Sequence, residues 1–184
     1  MLVLCETPSY PATLRLTDTD FETESAVDIV LSAIRRPDKR DNTIADAVAE
    51  GCTLNADAVA FAKKYEMDWV LTAIKIFLYD HAIQYDDPWG GEYVMVAASL
   101  NEWVLCGRLL ANLQETSDDE DEVEMRRMMD WRGWTPDIVK ELNSIGPNFT
   151  WAVCQAGTKC ATSNGQGRID YKAMGKELAK LMTT

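Results

Sequence analysis

The groups best suited to bond chemistry are five cysteines (Cys5, Cys52, Cys106, Cys154, Cys160), one histidine (His81) and a run of carboxylates between Ser117 and Glu124. A Cys–His nucleophile needs the imidazole beside a thiol and a donor for the developing oxyanion. No flanking signature of such a site surrounds any of the five cysteines. A structural zinc site asks for four ligands at C-x-x-C spacing. Cys154, Cys160 and the distant His81 do not supply them. The scattered thiols read as reduced cysteines of an intracellular protein. His81 reads as a helix-end residue facing terminal carbonyls.

Ser117–Glu124 (SDDEDEVE) packs six acids into eight positions. It lacks the alternating ligands and central glycine of a calcium loop, so it reads as a solvated linker or a frayed helix start. Gly165-x-Gly167 has no preceding strand and no third glycine, which makes it a turn and not a phosphate cradle. Asn148-Phe149-Thr150 has the form of a glycosylation sequon with no secretory signal to use it. These readings assign no catalytic residue, no cofactor-binding residue, no cofactor and no metal ligand.

The net charge of −12 repels phosphate backbones, and the bases do not cluster, so nucleic acid is not an expected partner. No window approaches the roughly 20 apolar residues that span a bilayer. The expected setting is intracellular, cytoplasmic or nuclear, with no membrane partner.

The apolar periodicity supplies the elements. Val27, Val30, Leu31 and Ile34 mark a helix ended by Pro37, and a weaker helix runs from Ile44 to Gly51. Asn55 caps a helix with Ala58, Val59, Ala62 and Tyr65 on one face. A joint at Glu66-Met67-Asp68 leads to a second helix, which Asp68 caps and on which Val70, Ala73, Ile74, Phe77 and Leu78 form the stripe. Residues 2–5 and 12–17 read as short strands. Asp87-Pro88 opens a further helix, with Tyr93, Val96, Ala97 and Leu100 inward, and another runs from Leu100 to Gln114. Thr135-Pro136 and Asp170 start later helices, and a short one between them ends at Gly157. Trp69, Trp103 and Trp151 read as core. Trp89, Trp131 and Trp134 await cover, either by the chain's own C-terminal segment or by a partner.

The segment "AFAKKYEMDWVLTAIKIFL" resembles the late helices of the BTB/POZ family. "SAVDIVLSAIRRP" is similar to the apolar helix upstream in that family, and "LRLTDTDFE" to the strand and turn before it. A helix after Asp87-Pro88 and a later Gly-Trp…Trp order resemble the fungal branch. The resemblance covers about Leu14 to Leu113 and implies a domain lacking much of its first half, with apolar surface that the C-terminal segment would have to cover. It implies a mainly α protein: a BTB/POZ-like helical core, a short strand pair near the N-terminus and a helical C-terminal extension. The boundaries expected are 1–115 for the BTB-like domain, 116–130 for the acidic linker and 131–184 for the extension.

The function implied is a non-enzymatic protein-interaction module, self-associating or bridging a protein partner to a cullin-type scaffold. Its candidate contact residues are Lys63, Lys64, Tyr65, Met67 and Trp69 at the joint, with Trp89 and Tyr93 beyond it. The alternatives are a mainly α enzyme built from dispersed carboxylates, tyrosines and a cysteine, or a structural all-α domain unrelated to BTB. A polar pocket holding carboxylates of raised pKa would favour the enzyme; a flat apolar groove would favour the module.

Overall fold

The computed structural model describes residues 22–35, 43–84, 93–113, 120–161 and 168–184, with 35, 43, 81–84 and 120–122 described in backbone only. Among them run ten α-helices: α1 (Glu24–Arg35), α2 (Thr43–Ala49), α3 (Ala56–Lys64), α4 (Asp68–Gln84), α5 (Tyr93–Ser99), α6 (Trp103–Ala111), α7 (Glu120–Met129), α8 (Pro136–Ile145), α9 (Pro147–Cys160) and α10 (Tyr171–Thr183). A 3-10 turn, Trp131–Gly133, follows α7, and an isolated antiparallel bridge joins Ala161 to Ile169. The protein is mainly α. The strand pair expected at 2–5 and 12–17 lies outside the described residues, as do Cys5, Trp89 and Gly165-x-Gly167.

Local chemistry starts and stops these helices where side chains can do so. Asn55 Oδ1 accepts from the Ala58 amide at 3.1 Å, and Asp170 Oδ1 accepts from Ala173 at 2.9 Å, each satisfying a first-turn donor that lacks a helical partner. Thr135 caps α8 with Pro136 at its first position. Gly51 takes φ +95° after α2, the left-handed stop its sequence position implies. The joint between α3 and α4 is Tyr65-Glu66-Met67, with Glu66 at φ +53°. Asp68 is the first residue of α4 rather than its cap, and Thr72 O–H donates back to the Asp68 carbonyl.

One buried apolar cluster extends from Ala26 in α1 to Leu178 in α10. Helix α1 packs on α2 and α3, α5 on α6, α8 on α9, and α10 lies against both α6 and α9, with α6·α10 the most extensive pairing. All six residues from Tyr93 to Ala98 are buried, so α5 is enclosed on every side. The Gly107 and Gly175 backbones meet where α6 crosses α10, and a Cβ on either would strike the other's carbonyl oxygen. The C-terminal helix thereby covers the inner face of α6.

Three expectations change. In α1 the buried face is Ala26, Ile29, Val30 and Ala33, while Leu31 and Ile34 are exposed: the period holds, but the face turns so that small alanines admit α3. The stretch expected as an acidic linker carries α7, whose Met125, Met128 and Met129 are buried and anchor the charged helix to the core. Helix α9 continues past Gly157 to Cys160, because that glycine serves packing and not termination: a Cβ there would lie 3.0 Å from Trp131 Cδ1.

Candidate functional site

The tryptophans divide differently from their expected placement. Trp103 is half-buried and stacks on Phe149 at 5.9 Å between centroids. Trp134 donates its indole N–H to the Met128 carbonyl at 2.8 Å, tying the segment after α7 to that helix. Trp69 and Trp151, expected in the core, are 48% and 55% exposed. Both sit on helices whose buried faces are filled by other side chains, Val70 and Ile74 in α4, Ala152 and Val153 in α9.

The joint between α3 and α4 gathers five of the seven expected contact residues. Lys63 Nζ donates to the Ser99 carbonyl and so links the ends of α3 and α5. Burial, then the charge of Lys75, holds the Lys63 ammonium below the usual lysine range. Lys64 pairs with Glu22 at 2.8 Å, and the Tyr65 hydroxyl donates to the same oxygen at 2.6 Å. The Tyr65 ring lies 4.7 Å from Phe61, between centroids. Met67 packs half-buried on the core. These contacts fix the joint, and Trp69 rises from it. Two turns along, Ile76 is 46% exposed on the same face, since seven residues bring a helix back almost to its starting azimuth. Beside this face Lys75 pairs with Glu102 at 2.7 Å, and Tyr79 O–H donates to Glu102 at 3.3 Å. Tyr93 does not join the surface. It is buried, edge-on to Phe77 at 5.5 Å, because α5 is enclosed.

A second feature was not legible in the sequence. A cleft of about 620 Å³ opens between the α2–α3 connection, α5, α7 and α8. Leu54, Tyr93, Met95, Met125 and Met128 line it with apolar and sulfur surface, and Asp57, Glu124 and Glu141 bring carboxylates from α3, α7 and α8. Partial burial raises the Asp57 carboxyl above its ordinary range, offset in part by a hydrogen bond with Thr23. Burial, then the charges of Glu124 and Asp57, raises Glu141. Glu141 thus feels both other acids across the cleft, while Glu124 is itself paired with Arg127 at 3.1 Å. Their separation along the chain leaves no motif. The one local signal is the methionine spacing at 125, 128 and 129, a buried face beneath a run that otherwise reads as solvated.

Cys52 lines the same cleft. Cys106 is fully buried in α6, and burial pushes its thiol up to about 12. Burial, with Glu177 and Asp170, also raises Cys160. Thiols held in that direction are poor nucleophiles at neutral pH. Among the described residues no cluster of three or more His, Cys, Asp or Glu is placed to hold a metal ion. No described helix is long and apolar enough to cross a membrane. Compared with protein families, curated proteins and solved structures, the chain gives no significant match to any.

Proposed function

We propose that this chain is a non-enzymatic protein-interaction module that presents the outer face of α4 to a protein partner. One observation carries this reading: Trp69 and Ile76, two turns apart on one helix face, stand about half exposed above a joint tied down by the Lys64–Glu22 ion pair and the Tyr65–Glu22 hydrogen bond. A large aromatic beside an aliphatic group on a fixed backbone loses little entropy on docking, and such residues dominate binding energies. In its finer form this is the BTB/POZ-type adaptor that residues 14–113 resemble, an intracellular protein that self-associates or bridges a partner to a cullin-type scaffold. The test compares the intact chain with a Trp69→Ser/Ile76→Ser variant by affinity capture and light scattering. A partner or dimer lost in the variant at unchanged Tm supports the reading. Identical behaviour of the two proteins, or a monomer that captures nothing, overturns it.

A second reading, an enzyme using the acidic cleft for proton transfer, is favoured by the raised carboxyls of Asp57 and Glu141. It ranks lower because Cys52, the thiol among the described cleft residues, has a hydroxyl, Ser32 Oγ at 3.9 Å, and not a base as its hydrogen-bond partner.

A further inference from the structure

The outer face of α4 is bracketed by charge, and the sign of that charge selects what docks there. Trp69, Ile76 and Asp80 fall within about 40° of one another around the helix axis, over roughly 16 Å of its length. Thr72 lies between Trp69 and Ile76 and donates its hydroxyl proton to the Asp68 carbonyl at 2.9 Å, so it offers the surface no free donor. Acids stand at both ends. Glu66 and Asp68 precede Trp69, Asp80 follows Ile76 by one turn, and all three are exposed. Among the described residues no ion pair or side-chain hydrogen bond engages any of these three carboxylates. The lysines around them are engaged already: Lys63 with the Ser99 carbonyl, Lys64 with Glu22 and Lys75 with Glu102. Arg108 of α6 acts on Tyr79, about 100° around the axis from Asp80. The free charge along the Trp69–Ile76 line is therefore negative at each end, with half-exposed apolar groups between.

On the reading of this face as a docking surface, we infer that its occupant is a helical segment of a partner protein with apolar side chains between two basic ones. The apolar pair lies against Trp69 and Ile76, and the Lys or Arg heads meet Glu66 and Asp68 at one end and Asp80 at the other. A helix laid along α4 matches this bracket when its bases stand three turns apart and its apolar residues share their face. The apolar centre supplies the contact area, while the charged ends set register and speed encounter. A second copy of this chain docking through the same face does not fit. It would bring its own unpaired carboxylates to the same place, on a chain that already carries −12.

The experiment uses the full chain with ¹⁵N-labelled tryptophan indoles. It is titrated with a helical peptide bearing Lys at its first and twelfth positions and Leu at its fifth and eighth, and with a counterpart bearing Glu in place of Lys. The Lys peptide is expected to shift the Trp69 indole signal and to leave that of Trp151 in place. Trp151 is 55% exposed on α9, so its silence separates docking from attraction to any exposed aromatic. Glu66→Asn with Asp80→Asn should weaken binding about fivefold, and added salt should weaken it further. Asparagine tolerates the φ of +53° at position 66, so this loss is not a loss of fold. Asp28→Asn with Asp137→Asn removes equal charge from exposed positions on α1 and α8 and should leave binding unchanged. Four outcomes overturn the basic occupant: no shift of Trp69, equal binding of the Glu peptide, equal weakening by the two variant pairs, or self-pairing of the chain through Trp69 and Ile76 in light scattering. If Trp69→Ser/Ile76→Ser loses a partner that the Glu66→Asn/Asp80→Asn variant keeps, the face still docks a protein but the basic occupant is ruled out, which distinguishes the two failures.

Discussion

The carbonyl oxygen of Gly175 stands where a side chain on Gly107 would have to go, and the Gly107 carbonyl bars Gly175 in the same way. Two helix backbones can approach this closely only where both lack a Cβ. Ala179 and Ala111, small residues beside the crossing, extend the close approach along each helix.

Gly107→Ala or Gly175→Ala should therefore destabilise the fold, although alanine is the better helix former. The gain in helix propensity is about 1 kcal/mol. Forcing α6 and α10 apart costs about 3 kcal/mol, because the obstacle is a backbone carbonyl that cannot rotate away. A net loss of about 2 kcal/mol is expected in urea unfolding. Gly133→Ala, with open space around its Cβ position, serves as the control and should cost nothing measurable. Equal stability of all three variants would show that the crossing is looser than the geometry describes.

The thiols should separate by reactivity. In a Cys5→Ser background, an aromatic disulfide reagent at pH 8 is expected to modify Cys52, Cys154 and Cys160, which are half-buried, before Cys106. Cys106 should react only at the rate of global unfolding, since burial both shields the sulfur and holds its proton. Mass spectrometry of the time course reads the order. Early labelling of Cys106 would mean that α6 opens locally without unfolding the whole.

Stability should respond to pH with opposite signs at two carboxylates. Glu141 has a folded-state pKa above its ordinary value of 4.5, so its ionised form is disfavoured by the fold. Its cost grows as pH rises from the unfolded value through the raised folded one and is constant above. Glu141→Gln should raise Tm at pH 7, with the gain vanishing as pH falls below about 4.5. Asp130 is held below 3.8 chiefly by hydrogen bonding from Arg132. Its contribution is present at neutral pH and lost as pH falls through the lowered value, so Asp130→Asn should lower Tm at pH 7 and converge with the parent in acid. Thermal melts of both variants across pH 3–8 check the pair, and parallel curves for parent and variant would contradict it.

Local signals were legible and long-range ones were not. Asn55, Thr135-Pro136 and Asp170 could be read because a cap acts on amides two or three residues away. The stripe of α4 could be read because its buried residues are large. In α1 the sequence shows the period but not the phase, since Ala26 and Ala33 face inward for the space they leave rather than the area they bury. The exposure of Trp69 and Trp151 follows from what their neighbours fill, not from their own hydrophobicity. The acidic cleft draws its carboxylates from three helices, and the glycine crossing joins distant positions, so neither has a pattern within any window.

Gly175 lies 68 residues after Gly107. During synthesis at about 5–20 residues per second, α6 waits roughly 3–14 s for the helix that covers it. Over that interval the flat strip around Gly107 and Ala111 is open to solvent and to any nascent helix that offers an equally smooth surface. Helix α10 thus acts as a latch on α6, and the vulnerability of that face to misassembly is concentrated in the seconds before it closes.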